Sequence, residues 1–156
     1  MTKFLSLALC ISALFLISGC KNTELAPFTS FSFSETGSVM NSGFSYQAIT
    51  EAGVTTVTIQ KDGMAEEDAL TAATDTALME QLYAIAEKYE MGRWNGFDKA
   101  SKSAMDGRSF RLTIYMDNGS SIKAKGFMKW PENYSEAAAE ITALFDSIYD
   151  AASPTA

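Results

Sequence analysis

The pattern of apolar and polar positions changes period along the chain. "FTSFSFSE" sets Phe31 and Phe33 against Ser30, Ser32 and Ser34, the period of two expected of a strand with one buried face. "GFSYQAIT" repeats it with Phe44, Tyr46 and Ala48, and "VTTVTIQ" is rich in β-branched residues. A two-residue turn at Ala52-Gly53 places Ala48 opposite Val57 and Tyr46 opposite Ile59, all on one face, so three antiparallel strands are predicted. The following "KDGMAEEDALTAAT" reads as a loop or a poor edge strand. Its acidic cluster lacks the aspartate spacing of an EF-hand.

From Ala77 to Tyr89 the period becomes helical: Leu78, Leu82, Ile85 and Tyr89 share a face, Asp75 or Thr76 can cap the start, and Gly92 follows the end. "SFRLTIYM" and "SIKAKGF" then alternate around "DNG", a hairpin signal. A two-residue Asn118-Gly119 turn would bury Lys123 and Lys125 opposite Ile114 and Leu112. A three-residue loop, Asp117 to Gly119 with a left-handed glycine, instead pairs Ile114 with Ile122 and Leu112 with Ala124, and is preferred. A last helix opens after Pro131, with Asn133 and Glu136 spaced as in a capping box and an apolar stripe of Tyr134, Ala138, Ile141, Phe145 and Ile148. The order is βββ-α-ββ-α. This predicts an α+β fold, an antiparallel sheet of about five strands with both helices on one face.

The first twenty residues, "MTKFLSLALCISALFLISGC", follow another logic. Lys3 precedes an apolar run from Phe4 to Ile17 that is shorter than the roughly 20 residues needed to span a bilayer, and small residues follow, which is the order of an export signal. Ile17-Ser18-Gly19-Cys20 resembles the lipobox of bacterial lipoproteins, in which the cysteine is acylated and becomes the new N-terminus. The resemblance implies a signal peptide at 1–19 and a lipidated Cys20; the polar, proline-ended stretch after it reads as a short tether through residue 27, and the remaining length suits a single domain at 28–150 with a tail at 151–156. Two or more acyl chains anchor a protein stably. Lys21 does not resemble the inner-membrane retention signal of Gram-negative lipoproteins. The expected location is therefore the outer membrane in a Gram-negative host, on its periplasmic face or at the surface, and the cell surface in a Gram-positive one.

Both cysteines, Cys10 and Cys20, lie in this leader region, so no disulfide and no thiol chemistry is expected in the domain. The chain has no histidine, which removes the commonest neutral-pH base and the commonest transition-metal ligand. No metal and no cofactor is expected. With 12 basic and 19 acidic residues the chain is acidic, yet Arg93, Lys99, Lys102, Arg108, Arg111, Lys123, Lys125 and Lys129 cluster within 93–130 against only Asp98, Asp106 and Asp117. Such asymmetry bears on partners.

In the preferred hairpin register Arg111 lies beside Lys125 and Thr113 beside Lys123, and directly opposed like charges are unfavourable in a sheet. Either helix carboxylates such as Glu80, Glu87 or Glu140 neutralise this face, or it meets an acidic envelope protein or anionic headgroups. Arg111, Lys123 and Lys125 are the candidate binding residues, with Arg93, Arg108 and Lys129 at the rim. Trp94 and Trp130, at loop–element junctions, either plug the end of the core or serve as exposed anchors. Asp106 reads as capping the turn at Gly107. Nucleic acid does not suit an exported acidic domain.

No catalytic constellation stands out. Asp98 and Asp106 are one arbitrary pair among many acids, Ser101, Lys102 and Ser103 lack a nucleophile turn, and phosphate-loop and dinucleotide fingerprints are absent. The segments "WNGF", "DGRSFRLTIYMDNG", "IKAKG" and "PENY" resemble an uncharacterised family of bacterial lipoprotein-like domains, in which an aromatic follows the DG turn as Phe110 does here. That resemblance implies no established activity and carries over no catalytic residue. The expectation is a monomeric, lipid-anchored, non-enzymatic binding or adaptor module of the envelope. The alternatives are an inhibitor of an exported hydrolase and a small envelope hydrolase using carboxylates.

Overall fold

The computed structural model describes residues 22–37 and 43–153. The export signal, the lipobox and Cys20 lie outside these residues. Seven strands form one sheet: β1 (Phe28–Thr36), β2 (Gly43–Glu51), β3 (Val54–Gln60), β4 (Leu70–Thr74), β5 (Asp98–Ala100), β6 (Ser109–Met116) and β7 (Ser121–Phe127). Helix α1 (Ala77–Lys88) follows β4, and α2 (Tyr134–Ala152) follows β7. The spatial order is β4-β3-β2-β1-β6-β7-β5.

The α+β class holds, but the sheet is larger than expected and mixed. β4 extends it at one edge, antiparallel to β3, while β5 runs parallel to β7 at the other. The sequence offered β4 only as one of two readings, a loop or a poor edge strand, and left β5 unread, both for physical reasons. β4, "LTAAT", has mostly small side chains and is only half-buried, so its alternation carries little hydrophobic contrast. β5 is three exposed residues with no buried side chain, joined to β7 by backbone bonds such as Lys125 N–H to Phe97 O at 2.8 Å and Ser101 N–H to Phe127 O at 2.9 Å.

Both hairpins take the expected registers. Ala48 pairs with Val57 and Tyr46 with Ile59 across the Ala52-Gly53 turn. Ile114 pairs with Ile122 and Leu112 with Ala124, and Gly119 has the left-handed φ of 79° that the three-residue loop requires. The inward set from these strands, including Phe31, Phe33, Tyr46, Val57, Ile59, Leu112, Ile114 and Ile122, forms one core with Leu78 and Leu82 of α1 and Ile141 and Phe145 of α2. Phe145 stacks on Tyr46 with centroids 4.7 Å apart.

Two local expectations are corrected. Asn133 makes no side-chain cap: it turns the chain into α2 in a left-handed conformation, φ 60°, instead of forming a capping box with Glu136. The left-handed residue after α1 is Glu90, not Gly92. Gly92 is glycine because a Cβ there would lie 2.3 Å from the carbonyl oxygen of Thr23. At the start of α1, Asp75 accepts the Ala77 N–H at 2.9 Å.

Residues 22–27 run along the domain before β1 begins. Thr23 donates its N–H to Gly92 O at 3.0 Å, Leu25 and Ala26 pack against the core, and Pro27 O accepts from Asp117 N–H at 3.0 Å.

Candidate binding surface

Alternation sends every second strand residue away from the helices, and that outer face is built of hydroxyls and amides. One row reads across the ladders as Gln60, Ser45, Ser34, Arg111, Lys125 and Asp98; the next reads Thr71, Thr58, Gln47, Ser32, Thr113 and Lys123. These two rows are neutral over β2 and β3 and become cationic at β6 and β7, while Glu51 stands exposed at the end of β2. Arg111 and Lys125 stand in register with Ser34 and Ser109 nearby, lining a shallow concavity of about 300 Å³. Lys123 reaches over the half-exposed ring of Tyr115, 5.4 Å from its centroid.

Neutralisation by helix carboxylates is one of the two readings of the sequence, and no helix carboxylate forms an ion pair with Arg111, Lys123 or Lys125 among the described residues. Glu140 is engaged on the opposite side of the sheet by Lys88 and by the Tyr89 hydroxyl at 2.7 Å, and the lysine bond first, then the tyrosine bond, holds its carboxyl below the ordinary range. The nearest carboxylate to the basic row belongs instead to β5, where Asp98 pairs with Lys125 at 3.1 Å. Both side chains are more than half exposed, so the pair contributes about 0–1 kcal/mol and leaves much of the field in place. Among the described residues no carboxylate lies within 4.0 Å of Arg111, Lys123 or Lys129.

The other predicted residues are dispersed. Arg93, in a 3-10 turn at Met91–Trp94, pairs with Glu90 at 2.9 Å. Trp94 is 2% exposed and its indole N–H donates to Glu132 O at 3.0 Å, which removes it from any exposed set: it plugs the core. Trp130 is exposed, with its ring 6.2 Å from that of Tyr134. The turn reading of Asp106 agrees with its Oδ1 accepting the Gly107 N–H at 2.8 Å.

Arg108 and Trp130 lie on a different surface, a groove of about 700 Å³ beside α2 that also includes Glu35 and Tyr134. Glu35 is buried at the end of β1, with one carboxylate oxygen paired to Arg108 and the other accepting the Tyr134 hydroxyl at 2.8 Å. Burial first, then the adjacent Glu35 charge and bond, raises the Tyr134 phenol far above its ordinary value. Sequence reasoning missed this cluster although a signal existed, since period two in "FSFSE" puts Glu35 on the buried face with Phe31 and Phe33. An inward glutamate requires partners.

Among the described residues no group of three or more potential ligands could hold a metal, and no helix is long and apolar enough to cross a membrane. Compared with models of protein families and with curated proteins, the chain matches none.

Proposed function

We propose that this protein is a lipid-anchored, non-enzymatic binding module of the cell envelope, tethered through Cys20, whose working surface is the outer face of the sheet around Arg111, Lys123 and Lys125. One observation carries this reading. Two like charges, Arg111 and Lys125, are held in register on an open strand pair, and the arginine has no carboxylate within 4.0 Å among the described residues. Opposed like charges destabilise a sheet. An acidic partner offsets that penalty, and the hydroxyls of Ser34, Thr36 and Ser109 offer it further hydrogen bonds in the same concavity.

The groove at Arg108 supports this reading less well. There the guanidinium is already paired with a buried carboxylate, so its charge is largely spent within the fold.

The test has two arms. Cys20→Ser should move the protein from the membrane to the soluble fraction. The variant with Arg111, Lys123 and Lys125 all changed to glutamate, folded by circular dichroism, should remain membrane-bound but release the acidic component that the wild type retains at low salt. A Cys20→Ser protein still held in the membrane contradicts the anchor, and equal retention by wild type and triple variant contradicts the face.

A further inference from the structure

The place where the chain leaves the domain identifies the partner more closely. Asn95 bridges the chain start to the basic strand: its amide donates to Thr23 Oγ1 at 2.8 Å, and its Oδ1 accepts the Lys123 N–H at 3.0 Å. Thr23 is pinned a second time by its bond to Gly92 O. Asn22 therefore sits beside β7. Cys20 precedes Asn22 by two residues in the sequence, and two residues of chain reach at most about 8 Å.

Charge is graded across the sheet about this point. At the β7 edge stand Arg111, Lys123 and Lys125. At the far edge, beside β4, residues 61–75 hold Lys61 against Asp62, Glu66, Glu67, Asp68 and Asp75. Four inter-strand spacings separate β4 from β6 and five separate it from β7, about 19 and 24 Å at about 4.8 Å per spacing. The Debye length at physiological ionic strength is about 8 Å. A surface reached by the basic edge is thus screened from the acidic one.

We propose that the β7 edge lies on the bilayer that holds the anchor, with Arg111, Lys123 and Lys125 against anionic lipid headgroups and the acidic β4 edge turned away. The proposal rests on lipidation of Cys20 and names the acidic partner of the face described above. Carboxylates at the exit offset part of the field: Glu90 pairs with Arg93 and Asp98 with Lys125, and Glu24 and Asp117 are exposed, against Lys99, Arg111, Lys123 and Lys129, which have no carboxylate within 4.0 Å among the described residues. Tyr115, 46% exposed beside Lys123, supplies an aromatic ring with a polar tip of the kind enriched at membrane–water interfaces. Juxtamembrane basic groups gain from the negative surface potential of anionic lipid within a Debye length, and anchoring keeps these groups inside that range.

The experiment uses the full lipidated protein in phosphatidylcholine vesicles with or without about 30% phosphatidylglycerol, a composition rich in the anionic charge on which the attraction depends. Because both native cysteines lie at or before residue 20, a single fluorophore can be placed at Ser121→Cys near β7 or at Ala73→Cys on β4, and quenched by a headgroup-attached quencher. The expected result is at least about threefold stronger quenching at residue 121 than at residue 73 in anionic vesicles. High salt, omission of phosphatidylglycerol, or the triple glutamate variant should collapse that ratio towards one. Equal quenching at both sites in anionic vesicles, with the protein still anchored, overturns this orientation while leaving the anchor standing. Protein that does not stay with the vesicles at all overturns the anchor and the orientation together.

Discussion

Arg111 and Lys125 occupy directly paired positions of the β6–β7 ladder, both pointing away from the helices. Like charges at such positions oppose each other by about 0.2–1 kcal/mol. Arg111→Thr should therefore stabilise the domain by a few tenths of a kcal/mol while weakening attachment to an anionic surface. Urea unfolding read beside vesicle binding checks both; a variant that loses stability contradicts the view that Arg111 is kept for contact with a partner.

Trp94 and Trp130 should behave as opposites. Trp94→Ala removes a fully packed indole and its bond to Glu132 O, so a loss of about 3–5 kcal/mol is expected. Trp130→Ala should cost far less, because its ring is already exposed. Iodide should quench the fluorescence of Trp130 and spare Trp94, and single-tryptophan variants separate the two signals.

Tyr134→Phe should destabilise the domain by about 1–3 kcal/mol, the usual penalty for depriving a buried polar group of a partner. Glu35 would keep only Arg108. Urea denaturation gives the value, and a neutral result would mean that water replaces the hydroxyl.

Alkaline pH provides a test with a definite sign. Burial is the first cause raising the phenols of both Tyr46 and Tyr134 above the ordinary 10.0. The unfolded chain releases these protons near pH 10, whereas the native state keeps them. Native protein then binds more protons than unfolded protein, so stability should be complete below about pH 10 and fall as pH rises beyond it. Absorbance titration should show Tyr46 and Tyr134 ionising above the ordinary phenol range.

Gly92→Ala should loosen residues 22–27. The added Cβ would meet Thr23 O at 2.3 Å, so the Thr23 N–H to Gly92 O bond must open or the turn must shift. Hydrogen exchange at the Thr23 amide should accelerate at least tenfold, equivalent to about 1.4 kcal/mol of lost protection, while exchange in β1 to β3 changes little.

Legibility in the sequence followed the strength of local signals. Phe31, Phe33, Tyr46 and Ile59 alternate against serine and threonine, so the central strands and their faces could be read directly, and the left-handed glycine at 119 set the hairpin register that exposes Arg111, Lys123 and Lys125. The same local reading failed where tertiary contacts decide. β5 has three exposed residues and pairs in parallel with a strand met more than twenty residues later. The Arg108–Glu35 and Tyr134–Glu35 contacts join positions 73 and 99 residues apart, beyond the reach of any spacing rule. Trp94 and Trp130 looked alike as junction aromatics, and only the path of the chain before α2 separates a core plug from an exposed ring.

The most direct measurement of the central claim is attachment of the wild-type protein to its envelope component across a salt series, beside the variant carrying glutamate at 111, 123 and 125. The account predicts a wild-type affinity that falls steeply with salt and a folded variant with little affinity at any salt concentration. Equal affinities, unmoved by salt, would contradict it and exclude this face as the working surface.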